Sequence, residues 1–428
     1  MIEDQIYNLI KKIFNYPRSI TGHGTLKTLK VFKTIVPELK IIKVKSRKKI
    51  NGWIVPDEWN FNRAYIKDSK GNFILDTKKS NLHVVNFSQP IKKKINLNNL
   101  KKNIFSIRKI PDAIPYVTSY YEKSWGFCME HSKKIRLKKD IYEINIDTKI
   151  KKGHLNYGEI YIKGKSRKEV LISTYICHPS MANNELSGPC LSLYLAKYIK
   201  NSSNFYSYRF IFIPEIIGSI IFIEKNKKIL KNVKYAFNIN CVGDNKSISF
   251  LPSRTSSTIS DKLAIYVLNE LKLKYKKYNF IDDRGSDERN FCSPNVNVPM
   301  VSIMRSKHGT YKEYHTSKDD LNFISKSGLK LSFNIYINCF LAIEKNFIYK
   351  SKLLGEPFLT SLGYGYKLIA GKNNIKSINS KLILDVLSCL DSKSDLIDVS
   401  SQLNISINKI HEVIILLEKN KLVQKITV

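Results

Sequence analysis

The sequence predicts an α/β protein whose core is a doubly wound, mostly parallel sheet, with an inserted β-rich domain and a C-terminal winged helix-turn-helix. Three observations lead there. Between residues 170 and 344, apolar β-branched runs alternate with helical stretches, as in a sheet covered on both faces. From about 41 to 164 the texture is short strand-like runs divided by turn residues. Residues 378–428 read as three helices and a short strand, the winged-helix pattern.

Bulk properties narrow the class. A chain of 428 residues exceeds one ordinary core, and 43% hydrophobic with 11% aromatic content excludes a disordered protein. The most apolar window, 210–223, is broken by Pro214 and Glu215 and is too short for a bilayer, so no membrane insertion is expected. The start, MIEDQIYNLIKK, lacks the basic-then-apolar order of an export signal. Seven scattered cysteines without a CxxC fit reduced, buried thiols in a cytoplasmic protein. The net charge of +36 admits a polyanion partner or a lysine-rich composition laid over an ordinary enzyme. The lysines are spread through every segment with no basic tail, which favours the second.

Taken in order, residues 1–40 read as two helices, with apolar positions Ile6, Leu9, Ile10 and Ile13, then Leu26, Leu29, Phe32 and Ile35. Pro17 and Gly22 mark the turn between them. Strands are expected at 53–55, 64–67, 73–76, 83–87, 141–146 and 160–162, with Trp53, Trp59 and Trp125 filling the core of this region. The sheet strands are 170–176, 208–213, 235–240 and 298–304, with helices near 189–199, 258–272 and 324–344. In the tail, helices at 382–390, 395–403 and 407–420 precede a strand at 422–428, with Ser394 and Ser406 as caps. The domains are then 1–45 with 165–350 (α/β), 46–164 (inserted), 351–377 (linker) and 378–428 (winged helix).

The chemistry gathers where strands end. The first sheet strand stops at His178-Pro179, followed by Asn183 and Asn184; the second runs into Glu215; the third gives Asn240 and Asp244. The segment 282–289 packs four acids, including Asp287 and Glu288, with Arg284 and Arg289, and the last strand leads to Tyr314 and His315. Histidines and carboxylates from carboxyl-end loops of one sheet are how a zinc site is assembled from distant parts of a chain. Singly, each histidine also reads as a satisfied buried residue, and the acidic segment as a solvated loop. Glu215 resists that reading, because an acid directly after an apolar strand is costly unless paired, metal-bound or solvated.

The words CHPSMANNELSG, PEIIGS, CVGD, RGSDERNFCSP and EYHTSKDDL resemble a bacterial family with an aminopeptidase-like catalytic domain, related to the co-catalytic di-zinc aminopeptidases. YPRSITGHG, VPDEWN, NLHVV, AIPY and WGFCM fit the N-terminal half of the same family, and the tail fits its winged helix. The resemblance implies a sheet of zinc-aminopeptidase type and an association with surface-polysaccharide biosynthesis. It implies zinc ligation by His178 and His315. Asn184 stands where such peptidases place a bridging aspartate, Asn240 where they place another ligand aspartate, and Ser180 where an aspartate orients the ligands. Glu215 falls at their glutamate pair but is followed by Ile216.

Two zinc ions held close together need negative ligands, so these departures favour one zinc over two. Its holders would be His178, His315 and a carboxylate, with Glu215 as that carboxylate or as the base. Asp244 is the reserve ligand, and Asp287 and Glu288 the reserve catalytic acids. Asn184, Asn240, Arg284, Arg289 and Tyr314 are the candidate substrate-binding groups. The expected function is zinc-dependent hydrolysis of an amide bond in a peptide, aminoacyl or N-acyl amino-sugar substrate. The alternative is a non-catalytic binding or regulatory protein with a degenerate metal site. In the tail, Lys409 and His411 share a helix with Glu412 and Glu418, which suits packing or homo-oligomerisation better than reading DNA.

Overall fold

The structure, a computed structural model, describes residues 1–364 and 380–426. Residues 365–377 of the expected linker, and the last two residues of the expected final strand, lie outside the described residues. The chain divides into two units, residues 1–261 with 274–334 and residues 262–273 with 335–428.

The first unit is built on an eight-stranded sheet. Its strands in chain order are β1 (Lys40–Lys45), β2 (His154–Ile162), β3 (Glu169–Tyr175), β4 (Ser207–Ile213), β5 (Val233–Asn238), β6 (Ser249–Leu251), β7 (Lys276–Lys277) and β8 (Met300–Met304). Across the sheet they run β1-β2-β4-β3-β5-β8-β6-β7. The central four, β4-β3-β5-β8, are mutually parallel, whereas β1 and β2 are antiparallel additions at one side. Every residue of β3 and β4 is buried, as the unbroken apolar runs require for strands covered on both faces. Helices Ile2–Ile13, His23–Ile35 and Ser187–Lys200 belong to this unit.

Residues 160–162, expected in the inserted domain, instead lie in β2 of the large sheet. The inserted segment therefore stops near 153. Gly158 shows why β2 belongs there: a Cβ at that position would meet Leu29 Cδ2 at 2.8 Å, so the second helix packs directly on the strand. Between β1 and β2 the chain forms an antiparallel sheet ordered Phe73–Asp76, Glu58–Lys67, Ile141–Lys151, Ile91–Asn96. The expected strand at 83–87 is not one. Asn81–His83 is a 3-10 turn capped by Ser80, and Asn86 spends its backbone on Val117 and Ser119 while His83 Nδ1 faces the Cys128 carbonyl at 2.9 Å. Of the three tryptophans only Trp59 fills the core, stacked between Phe61 and Phe87; Trp125 is half-buried and Trp53 is exposed.

In the second unit a three-stranded antiparallel sheet has Ile348–Ser351 at its centre, flanked by Asp391–Asp395 and Val423–Ile426. Helices Ser380–Ser388, Leu396–Leu403 and Ile407–Lys419 accompany it. The strand at 391–395 was not expected, and it displaces Ser394 from its capping role. Asp395 caps instead, in a reciprocal box with Asp398. Among the described residues no helix is long and apolar enough to cross a membrane.

The helix after β3 approaches the sheet at Gly188. A Cβ there would lie 2.3 Å from the Ile239 carbonyl oxygen and 2.8 Å from Thr174 Oγ1. Those two atoms are hydrogen-bonded to each other at 2.7 Å, so neither yields easily. Gly188→Ala is expected to destabilise the protein towards the upper end of about 1–3 kcal/mol, read as a lower urea midpoint at unchanged slope.

Candidate metal centre

The chain leaves β3 through Ile176 and Cys177 and places His178 at the bottom of a cavity of about 410 Å³. Its Nδ1 lies 2.6 Å from Glu185 Oε2, while its Nε2 lies 3.5 Å from Glu215 Oε2. Burial holds the imidazole neutral, with its pKa pushed down to about 3. A neutral ring that donates from Nδ1 to a carboxylate presents the lone pair of Nε2, the usual preparation of a metal-binding histidine.

Glu185 reaches this position through a π-helical turn, Ala182–Leu186, of the kind that often marks functional sites. Burial pushes its pKa well up, and the nearby Arg18 charge opposes that shift. Arg18 is itself fully buried, with Nε 3.8 Å from Glu185 Oε1. Its guanidinium donates to the carbonyls of His178 (2.9 Å) and Ile13 (2.7 Å). Both charges thus lie out of water, in a triad running Arg18–Glu185–His178.

Glu215 enters from the end of β4. Its backbone N–H donates to Cys177 Sγ at 3.3 Å, and the following Ile216 adopts φ 65°. A β-branched residue in the left-handed region is strained and needs outside support. Asp287 supplies it, with Oδ1 accepting the Ile216 N–H at 2.8 Å. The second Asp287 oxygen is buried without a partner, and burial pushes this acid's pKa up to about 7. Burial, followed by the charge of Asp287, pushes Glu215 well above the usual carboxylate range.

His315 completes the floor. It too has positive φ, 54°, and its ring stacks on Tyr314 at 3.9 Å. It lies 5.3 Å from the His178 ring and 5.2 Å from the Tyr116 ring. Burial, then the neighbouring His178, lowers its pKa to about 3. The inserted segment is stitched to this loop: the Tyr116 N–H donates to the His315 carbonyl, and the Ser317 N–H to that of Ile114, both at 2.8 Å.

The other candidates are placed differently. Asp244 turns away from the cavity, its carboxylate accepting from Asn183 Nδ2, from the Ser306 N–H and hydroxyl, and from the Lys246 N–H. Those donors satisfy it and leave no room for a reserve metal ligand. Glu288 is likewise occupied by the Gly285 and Ser286 N–H groups and Asn238 Nδ2, which removes it as a reserve acid. Arg284 and Arg289 are exposed and do not line the cavity. Asn184 accepts from the Tyr175 hydroxyl, and Asn240 is buried with both side-chain polar atoms lacking a partner. Sequence reasoning missed Glu185, Asp319 and Tyr116. Asp319 accepts the N–H groups of Ala182, Asn183 and Asn184, holding the turn that carries Glu185.

Whether these residues suit a metal turns on the donors. Cys177, His178 and Glu185 bring ligand-type atoms within 4.8 Å of one another. The closest of those contacts is the Nδ1–Glu185 hydrogen bond, and burial keeps the Cys177 thiol protonated, so this cluster is better suited to supporting His178 than to binding an ion. His178, Glu215 and His315 line the cavity, two imidazoles and a carboxylate of the donor types that zinc takes. Asn184, Ile216 and Asn240 add no charge to it.

The sheet order and the polar residues gathered at its strand ends invite comparison with known proteins. Residues 7–346 match a family described as a domain of unknown function, DUF4910. The chain belongs to that family. It is 40% identical over 397 residues to a Clostridium acetobutylicum protein provisionally named a polysaccharide biosynthesis protein with an aminopeptidase-like domain, covering 92% of this chain and 90% of the relative. A crystal structure from the same organism, of a protein provisionally described as a peptidase, superposes with a TM-score of 0.92 at 37% identity over 99% of this chain and 96% of that one. A zinc aminopeptidase of Bacillus subtilis gives a TM-score of 0.58 at 13% identity, covering 80% of this chain and 94% of its own, and so shares the fold. The mixed α/β core is therefore of zinc-aminopeptidase type.

Breaking a buried ion pair by removing one partner typically costs about 3–5 kcal/mol, because the other charge is left bare. Arg18→Met is expected to show a loss of that size in chemical denaturation. Arg18→Met with Glu185→Gln should recover most of it, and single-variant losses that simply add would refute the coupling.

Proposed function

We propose that this DUF4910 protein is a mononuclear zinc hydrolase of aminopeptidase type that cleaves an amide bond. The observation that carries the reading is the neutral His178 imidazole, fixed by Glu185 at Nδ1 and open at Nε2 towards Glu215. His178 and His315, with one oxygen of Glu215, would hold the ion. Zinc, when bound, lowers the pKa of a coordinated water to about 7 and polarises the scissile carbonyl. Glu215, where it is not itself a ligand, would take the proton of the attacking water and deliver it to the leaving nitrogen. The water oxygen bonds to the carbonyl carbon, the C–N bond breaks, and an acid and an amine leave. Asp287 acts on this step only by holding Ile216, and hence Glu215, in place.

After zinc loading and removal of free metal, elemental analysis is expected to find one zinc per chain, and none in His178→Ala or His315→Ala. Chelation should abolish amide hydrolysis. Wild-type protein that retains no zinc sinks the reading.

The neutral residues Asn184, Ile216 and Asn240 favour a second reading, a binding or regulatory protein with an eroded metal site. It requires that His178→Ala and His315→Ala leave both metal content and cellular role unchanged.

We read the second unit as a winged helix that serves packing or homo-oligomerisation. Its three helices, three-stranded sheet and Ser406 cap support this. Light scattering of the full chain is expected to show an oligomer, without the salt-dependent duplex-DNA binding that a DNA reader would display.

A further inference from the structure

The cavity beside His178 has two kinds of wall. Its floor is the strand-end chemistry; its sides come largely from the inserted segment. Tyr116 packs edge-on against His178 at 5.0 Å, and its hydroxyl shares a 2.7 Å hydrogen bond with that of Tyr120. Further out stand Trp53 and Tyr121, 38% and 52% exposed, their rings 6.0 Å apart at 63°. Trp53 is presented by a hairpin in which Lys49–Ile50 pairs with Trp53–Ile54 around Asn51 and Gly52, both at positive φ. An indole held out of the core on so tight a turn is not there for packing.

The charges of the cavity restrict what it accepts. Among the described residues that line it, Glu215 is the only acid and there is no lysine or arginine. A substrate carboxylate finds no cation, since the one nearby guanidinium, Arg18, is fully buried and spent on backbone carbonyls and Glu185. A free α-ammonium finds no acid besides Glu215, because Asn184, Ile216 and Asn240 are neutral. The cavity thus favours an uncharged amide. The shape of its mouth narrows this further. An apolar side chain seeks complete burial, whereas Trp53 and Tyr121 offer partly exposed faces. A pyranose ring suits such faces: its C–H side packs on the aromatic ring while its hydroxyls stay in water.

We infer that the substrate is an N-acylated amino sugar, seated with its ring against Trp53 and Tyr121 and its acyl amide over His178 and Glu215. The inference rests on the hydrolase reading above for its chemistry, but not for its binding. The reaction is R–CO–NH–sugar plus water giving R–COOH and the free amino sugar, and no other reactant is needed.

The test titrates tri-N-acetylchitotriose and leucinamide separately into the full-length protein by calorimetry, with and without zinc, and follows tryptophan fluorescence. The acetylated trisaccharide is expected to bind and to perturb the fluorescence, while leucinamide does not. Trp53→Ala and Tyr121→Ala should each weaken binding at least tenfold, with Trp53→Phe restoring most of it and thermal midpoints unchanged. Trisaccharide affinity that is absent, or indifferent to Trp53→Ala, overturns the inference. Acetate release by the zinc-loaded protein separates the two readings. Binding through Trp53 without release leaves the substrate class standing and the hydrolase reading fallen. Zinc-dependent cleavage of leucinamide that ignores Trp53 does the reverse.

Discussion

A guanidinium with no exposed surface sits behind the candidate site, and the geometry in front of it follows from how that charge is satisfied. Arg18 leaves water at a cost of several kcal/mol, so every donor direction must be used. Ile13 and His178 offer carbonyls, and Glu185 offers the compensating charge. Because Glu185 is drawn to Arg18 with one oxygen, its other oxygen meets His178 Nδ1 and fixes the tautomer. Asn86 completes the bracing by donating to the Arg18 carbonyl at 3.0 Å, tying the inserted segment to the same point.

The strand ends share a second constraint. Ser180, Ile216, Cys241 and His315 all have positive φ, so the chain turns sharply just as each strand delivers its polar residues. Such turns cost of order 1–3 kcal/mol apiece in non-glycine residues. Asp287 supports the one at Ile216 by accepting its N–H. Ser180 lies between His178 and the carboxylate that meets its Nδ1, that of Glu185, five residues on.

The sequence made the parallel core legible because β3 and β4 are apolar on both faces, a pattern few other structures tolerate. It also made His178, Glu215 and His315 legible, each the polar residue that ends or follows a strand. Glu185 was hidden because its role depends on Arg18, far away in the chain, and on a π-helical turn that no residue spacing announces. Asp244 and Glu288 looked available for the opposite reason: acid clusters in a sequence do not reveal the backbone N–H groups that will occupy them. Strand β2, between β1 and β4, was misplaced because in sequence it is one more short strand-like run directly after the inserted strands. Trp53 was assigned to a core on composition alone, although its two-residue turn leaves it facing water.

The Arg18–His178 hydrogen bond joins residues 160 positions apart. A segment made early in synthesis therefore waits, with a charge it cannot yet bury, until β3 and the turn after it have been made. Contacts of that separation are closed late and slow a chain's folding. The first helix, amphipathic and ready to form, must stay loosely held meanwhile. The order of assembly is thus set from the far end of the contact, and the segment that carries His178 is braced only when the N-terminal segment docks.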